Sequence, residues 1–316
     1  MSQQEHIWAQ KYRPTTISDI ILPAGLVNEL ANYVKDGKAP HLLLASRLPG
    51  TGKTTLALAL CADLGANPLV INASLNNSID DIRSNVTQYA TGVSVMGGPK
   101  IVVLDEAERL SQAAQEALKG ILEAVSKNCT FILTTNNPQR IIEPLRDRCI
   151  VKEFVWSAED TTAMRAKMMR RCAEILTAEG VTFKPAALAG VVKKHFPSNR
   201  RILNTLQEYS NQFDKNIDEG ILGMLNVGDV DNLLEALVKK DFQAVKEWCS
   251  TNADQLSDGI YLKLFETLKD RLHPQSVPQL ILTLGDFQRF HATVPDLFIH
   301  SLALMTTIMA DCTFTK

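Results

Sequence analysis

Short apolar runs separated by stretches of helical periodicity organise the first half of the chain. HLLLA at 41–45, LVIN at 69–72, IVVLDE at 101–106, FILTT at 131–135 and IVKEFV at 150–155 have the length of strands and fall short of buried helices. Between them TLALALCADL, SIDDIRSNVTQYA, residues 111–126 and IIEPLRDR carry apolar positions at helical spacing. Strands alternating with helices predict an α/β domain, a parallel sheet with helices on both faces. In that architecture a ligand binds beyond the carboxyl ends of the strands.

Near Trp156 the pattern changes to helices alone. Residues 157–180, 184–196 and 198–213 predict three helices, broken at Gly180 and Pro197, which make a small helical lid. After the Gly-containing stretch GILGMLNVGD a second helical region begins, in which Tyr261, Leu264, Phe265, Leu268 and Leu272 recur on one face. The last helix, expected over 294–310, is apolar nearly all round, so burial within its domain or between subunits is expected. The expected division is an α/β domain over 1–155, a lid over 156–218 and an all-α domain over 219–316.

Composition narrows the class without changing the fold. With 316 residues, 45% hydrophobic and 22% charged, the chain has material for two or three globular domains. Its longest apolar stretch is too short for a bilayer and contains His300 and Ser301, and MSQQEHIWAQ lacks the basic and apolar regions of a signal peptide. No membrane association and a cytoplasmic location are therefore expected. The six cysteines show no C-x-x-C pair and no metal-ligand spacing, so reduced core thiols are expected. A net charge of −2 excludes a protein that coats nucleic acid by bulk electrostatics. Residues 1–218 hold 25 Lys and Arg against 22 Asp and Glu, whereas 219–316 hold 8 against 13, so any nucleic-acid contact belongs to the first two thirds.

Candidate chemistry is concentrated in LPGTGKTT at 48–55, between an apolar strand and a helical pattern. Glycines at Gly50 and Gly52 let backbone N–H groups converge on phosphate oxygens at a helix N-terminus, Lys53 neutralises phosphate charge, and the Thr54 hydroxyl can ligate Mg²⁺. A nucleoside triphosphate is the expected ligand. The full pattern begins with a glycine where this chain has Arg47, although the Gly-Lys-Thr core is intact. About fifty residues on, Asp105 and Glu106 end a strand: Asp105 suits the Mg²⁺ shell, and Glu106 suits polarising the attacking water. An acidic pair at a helix start is also ordinary N-terminal charge placement. Asn136, after the fourth of these runs, offers an amide to position that water, while Asn-Asn-Pro is also good turn chemistry. Arg148 in RDRC suits a neighbour's phosphates rather than its own, and Arg200 opens the third lid helix; from spacing alone either is equally a solvated surface arginine.

Taken together, KYRPTTISDII, APHLLL, PGTGKTT, VVLDEAERLSQAAQEAL, TTNN, RDRC and SNRRILN resemble the sliding-clamp loader ATPases, the replication factor C small-subunit family of the AAA+ class, and within it the branch of T-even-type bacteriophages. The resemblance covers roughly residues 7–215 and weakens over the C-terminal helices. It implies an AAA+ P-loop domain, a lid and an all-α collar for oligomerisation. It implies that Lys11, Tyr12, Arg13 and Pro14 run past the adenine, that Pro49, Gly50, Thr51, Gly52, Lys53, Thr54 and Thr55 hold ATP, and that Thr54 and Asp105 hold Mg²⁺. Asn136 corresponds to sensor 1, Arg200 to the sensor 2 arginine, and Arg148 to the family's trans-acting arginine. The family's Ser-Arg-Cys has Asp147 in place of its serine here, and Arg146 competes for the role.

The helix carrying Ser111, Gln112, Gln115 and Lys119 resembles the family element that couples the ATP site to DNA. Lys119 is followed by Gly120 where many members have a second basic residue, and Arg83 matches a basic position facing the same chamber. Solvated helix residues would look the same in sequence. The implied assembly is an open pentamer containing several copies of this subunit and a distinct smaller partner, which opens a sliding clamp and admits primer–template DNA. A clamp-facing surface is expected around Tyr89, Val93, Val95 and Met96, or else that loop tucks its side chains inward. Two other readings share the nucleotide motifs: a branch-migration helicase, which should end in a winged helix rather than an acidic helical third, and an interaction subunit that binds ATP without hydrolysing it. A P-loop metabolite kinase explains neither the lid arginine nor the extra helical region.

Overall fold

Successive side chains on a strand face opposite ways, and in the first four strands of this chain both directions are apolar. Leu43, Val102, Leu104, Phe131 and Leu133 face one side of a sheet, whereas Leu42, Leu44, Val103 and Ile132 face the other; all are buried. The computed structural model describes residues 6–74, 79–92, 98–222, 230–252, 260–291 and 293–315. Five parallel strands, β1 (Leu42–Ala45), β2 (Leu69–Asn72), β3 (Ile101–Asp105), β4 (Thr130–Thr135) and β5 (Ile150–Glu153), lie in the order β2-β3-β4-β1-β5. Helices α4 (Ile79–Thr91) and α5 (Gln112–Val125) cover the first face through Ile82, Val86, Leu118 and Leu122. Helices α2 (Ala24–Lys35) and α3 (Lys53–Asp63) cover the second through Leu30, Leu56 and Leu60.

Register brings the polar strand ends together. Asn72 pairs with Asp105, Leu104 with Leu133, and Ala45 with Thr135, so the residues following each apolar run emerge along one edge of the sheet. After the short helix α6 (Glu143–Arg146), the lid comprises α7 (Ala158–Ala178), α8 (Pro185–His195) and α9 (Asn199–Gln212). The Ser157 hydroxyl caps α7 by accepting from the Asp160 N–H at 3.0 Å. The lid is not purely helical: Thr182–Phe183 and Asn216–Ile217 form a two-stranded parallel pair, β6 and β7, too short to leave a period in the sequence. The N-terminal turn α1 (Trp8–Lys11) packs on α9, and the Trp8 N–H donates to Gln207 Oε1 at 2.9 Å.

The chain divides into two compact units, Met1–Glu219 and Gly220–Lys316. The second contains α10 (Val230–Lys239), α11 (Phe242–Asn252), α12 (Ile260–Leu268), α13 (Val277–Phe290) and α14 (Leu297–Asp311), with Tyr261, Leu264, Leu268 and Leu272 in its core and Phe265 packed beside them. The last helix starts three residues later than expected, because Val294 precedes a proline and the Asp296 side chain caps the Ile299 N–H at 3.0 Å. Nor is α14 buried all round: Leu304, Met305 and Ile308 are in the core, while Ile299 is 57% exposed. Among the described residues no helix is long and apolar enough to cross a membrane. All six cysteines are free, and burial pushes the thiols of Cys61, Cys149 and Cys172 up to about 12, which keeps them protonated.

Candidate active site

The turn between β1 and α3 adopts the conformation its glycines permit. Gly50 and Gly52 have φ of +77° and +96°, the left-handed region, and Gly52 caps the N-terminus of α3. Arg47 has no positive φ; the turn is entered instead through Ser46, whose hydroxyl donates to the Leu48 carbonyl at 3.0 Å. The glycine missing at position 47 is therefore not required by the backbone. Gly50 is also needed for space, because a Cβ there would lie 2.6 Å from Ser198 Oγ and 3.2 Å from Arg200 Cβ. The lid's Ser-Asn-Arg turn thus rests directly on the glycine loop.

Lys53 is only 8% exposed and donates from Nζ to Asn136 Oδ1 at 2.8 Å and to the Leu48 carbonyl at 3.3 Å. Burial lowers its ammonium below the ordinary lysine value, and the carboxylates of Glu108, Asp105 and Glu106 oppose that shift. Asp105 Oδ1 accepts from both the Thr54 and the Thr134 hydroxyls at 2.6 Å. Glu106 has φ +56°, uncommon for a residue with a Cβ, and its N–H donates to Thr134 Oγ1 at 3.1 Å. The Glu108 carboxylate accepts from the backbone N–H and the side-chain Nδ2 of Asn136 at 3.0 and 3.2 Å.

Lys53, Thr54, Asp105, Glu106, Thr134 and Asn136 line a cavity of about 910 Å³, large enough for a cofactor-sized ligand, whereas Glu108 does not line it. Lys11, Tyr12, Arg13 and Pro14 close one side, and Met168, Arg171, Ile175, Asn199, Arg200 and Leu203 of the lid close another. Glu179, at the end of α7, takes hydrogen bonds at 2.6 Å from both Lys11 Nζ and the Tyr12 hydroxyl, and Arg13 Nε donates to Thr55 Oγ1 at 3.0 Å. The N-terminal segment is consequently a strap tied to the lid and to α3. Sequence reading found Lys53, Thr54, Asp105, Glu106, Asn136 and Arg200 but missed Thr134, Glu108 and the lid face. Met168, Arg171 and Ile175 do recur at helical spacing, the one signal that pointed to that face.

Several expected residues lie elsewhere. Arg148 does not line the cavity; it pairs with Glu123 of α5 and donates from Nη1 to the Pro144 carbonyl at 2.6 Å. Among the described residues no ion pair joins Arg148 to its neighbour Asp147. Arg146 is partly buried, and its Nε has no hydrogen-bond partner among the described residues. Arg83 is exposed on α4, and Lys119 is partly exposed on α5. Gln115 is buried, not presented to a ligand: it bonds the backbones of Leu110, Arg140 and Ile142 at 3.2, 3.0 and 2.9 Å, tying α5 to the segment that leads to Arg148. Tyr89 also turns inward, its hydroxyl donating to the Asn67 carbonyl at 2.7 Å and accepting from the Ile101 N–H at 3.2 Å. Val93, Val95 and Met96 lie outside the described residues.

Fold and site together define a P-loop ATPase of the AAA class with a helical lid. Residues 43–156 match the ATPase family associated with various cellular activities (AAA), and residues 160–223 match the sliding-clamp-loader large subunit, AAA+ ATPase lid domain. The chain is 36% identical to the sliding-clamp-loader large subunit of Escherichia phage RB69, covering 99% of each chain, and 36% identical to that of Enterobacteria phage T4, covering 98% of each. It is also 36% identical to the replication factor C small subunit of Thermofilum pendens over 74% of this chain and 73% of that one. A Thermotoga maritima RuvB structure superposes with a TM-score of 0.56 at 19% identity, covering 91% of this chain and 90% of that one, a likeness of fold alone. The chain belongs to the sliding-clamp-loader large-subunit family, and it is a nucleotide-binding clamp-loader ATPase.

Proposed function

We propose that this chain binds ATP with Mg²⁺ at the cavity between strap, glycine loop and lid, and hydrolyses it to drive a sliding clamp onto primer–template DNA. The observation that carries this reading is the convergence of Lys53, Thr54, Asp105, Glu106 and Asn136 at the ends of three adjacent strands. The hard oxygens of Thr54 and Asp105 suit Mg²⁺ directly or through water, and that ion would neutralise charge on the β- and γ-phosphates. Gly50 to Thr55 offer backbone N–H groups, and Lys53 its ammonium, to the phosphates, while Pro49 leads into the loop without a donor of its own. Lys11 to Pro14 hold the base side. Glu106 takes a proton from the attacking water, Asn136 positions that water, and Arg200 engages the phosphates from the lid.

Arg148 acts on the nucleotide of a neighbouring copy. Its place outside its own cavity supports that role, and an arginine supplied in this way is worth about 10³–10⁵ in rate. The assembly is an open hetero-pentamer holding several copies with a distinct smaller subunit, and it works in the cytoplasm of the host cell. Residues 1–155 are the nucleotide-binding domain, 156–218 the lid and 219–316 the oligomerising collar. Exposed Leu262, Leu282 and Phe290, each at least 60% accessible, support the collar's role. Arg83 and Lys119 contact DNA phosphates, and several such pairs lining one chamber sum into salt-sensitive binding. The clamp-facing surface lies around Tyr89, Val93, Val95 and Met96, with the Tyr89 hydroxyl itself turned inward to Asn67 and Ile101.

The trans assignment is tested with Arg148→Ala in the assembled complex. Nucleotide affinity should stay within about twofold while clamp- and DNA-stimulated turnover falls about a thousandfold; wild-type turnover would overturn the assignment.

A further inference from the structure

Asn136 sits between two groups whose hydrogen-bonding chemistry is fixed and opposite. An ionised carboxylate only accepts and an ammonium only donates. Glu108 Oε1 lies 3.2 Å from Nδ2 of the amide, and Lys53 Nζ lies 2.8 Å from its Oδ1. Reversing the amide would set its carbonyl against a carboxylate and its NH₂ against an ammonium, losing both bonds. The same Glu108 oxygen also accepts the Asn136 backbone N–H at 3.0 Å, so main chain and side chain are pinned by one atom. The other carboxylate oxygen is buried with no hydrogen-bond partner among the described residues, a cost that packing alone does not explain.

We propose that Glu108 is a positioning residue for hydrolysis: it locks the Asn136 amide so that its carbonyl, not its NH₂, faces the reacting atoms. The proposal rests on the reading of Asn136 as the residue that positions the attacking water, and it decides how that is done. A fully ionised γ-phosphate carries only acceptors and gains nothing from a carbonyl, whereas a water molecule has protons to donate. With its NH₂ held by Glu108, Asn136 accepts one O–H of the water and leaves the second for Glu106. Glu108 touches neither water nor nucleotide and acts through Asn136.

The test compares Glu108→Gln, Asn136→Ala and the double variant in the full chain, assembled with its partner subunit, clamp and primed DNA. Nucleotide affinity and single-turnover hydrolysis are read separately. A glutamine can present either donor or acceptor to Asn136, so it releases the lock with little change of shape. The expected result is about a tenfold slower hydrolytic step for Glu108→Gln, with affinity changed less than about twofold, and no further loss when the change is added to Asn136→Ala. Glu108→Asp, which keeps acceptor-only oxygens, should recover part of the rate and covers the case in which the glutamine variant folds poorly. Wild-type turnover by Glu108→Gln, or a loss that multiplies with that of Asn136→Ala, would overturn the proposal. Normal turnover by Asn136→Ala would instead overturn the reading of Asn136 itself.

Discussion

A lysine stripped of most of its water stays charged only where anions or strong acceptors surround it. At Lys53 those are the Asn136 carbonyl, the Leu48 carbonyl and the nearby carboxylates of Glu108 and Asp105, a setting that phosphate oxygens can take over. Lys53→Ala should weaken nucleotide binding roughly a hundredfold, the loss of charge-assisted bonds in a partly buried site. Titration calorimetry with ATP checks this, and near-normal affinity would mean the loop does not hold phosphate. Lys53, Thr54 and Asp105 were legible in the sequence because glycine spacing and the end of an apolar run fix their places. Thr134 and Glu108 were not, because their roles arise from the register of β3 against β4, which no local pattern encodes.

At the scale of elements, the glycine loop is clamped from two sides. The strap is tied to the lid through Glu179, and the Ser198–Arg200 turn sits on Gly50. Gly50→Ala should strain the φ of +77° at a cost of about 1–2 kcal/mol and push Ser198 away from the loop. The expected readout is a lower melting temperature together with weaker nucleotide binding. A variant that melts and binds as the wild type would show that lid and loop are not in contact in solution. The sheet and the three lid helices followed from periodicity, since their buried faces are long and regular. The β6–β7 pair and the inward turn of Tyr89 did not, because two-residue strands have no period and a tyrosine hydroxyl finds its partners only in three dimensions.

For the whole molecule, the C-terminal unit stands on its own core, in which Leu264 is fully buried. Leu264→Ala should cost that unit about 2–5 kcal/mol through the cavity it leaves, read as a lowered urea midpoint. An unchanged midpoint would contradict the packing. Histidines give the molecule an acid sensitivity. Burial holds His41, His195 and His300 below the ordinary histidine value, reinforced by Lys194 and Arg201 at His195 and by His291 at His300. Because the unfolded chain then binds protons first, stability is full above about pH 6.5 and is lost as pH falls below it towards the folded values. Urea midpoints should therefore drop between pH 7.5 and 5.5, and a flat profile would contradict the assignment.

The central claim, an ATPase whose turnover is spent on clamp loading, is tested most directly by steady-state ATP hydrolysis of the chain assembled with its partner subunit, with the sliding clamp and primer–template DNA added singly and then together. The account predicts that the two together stimulate hydrolysis well beyond the sum of their separate effects. Stimulation by branched duplex DNA with no response to a clamp would contradict it.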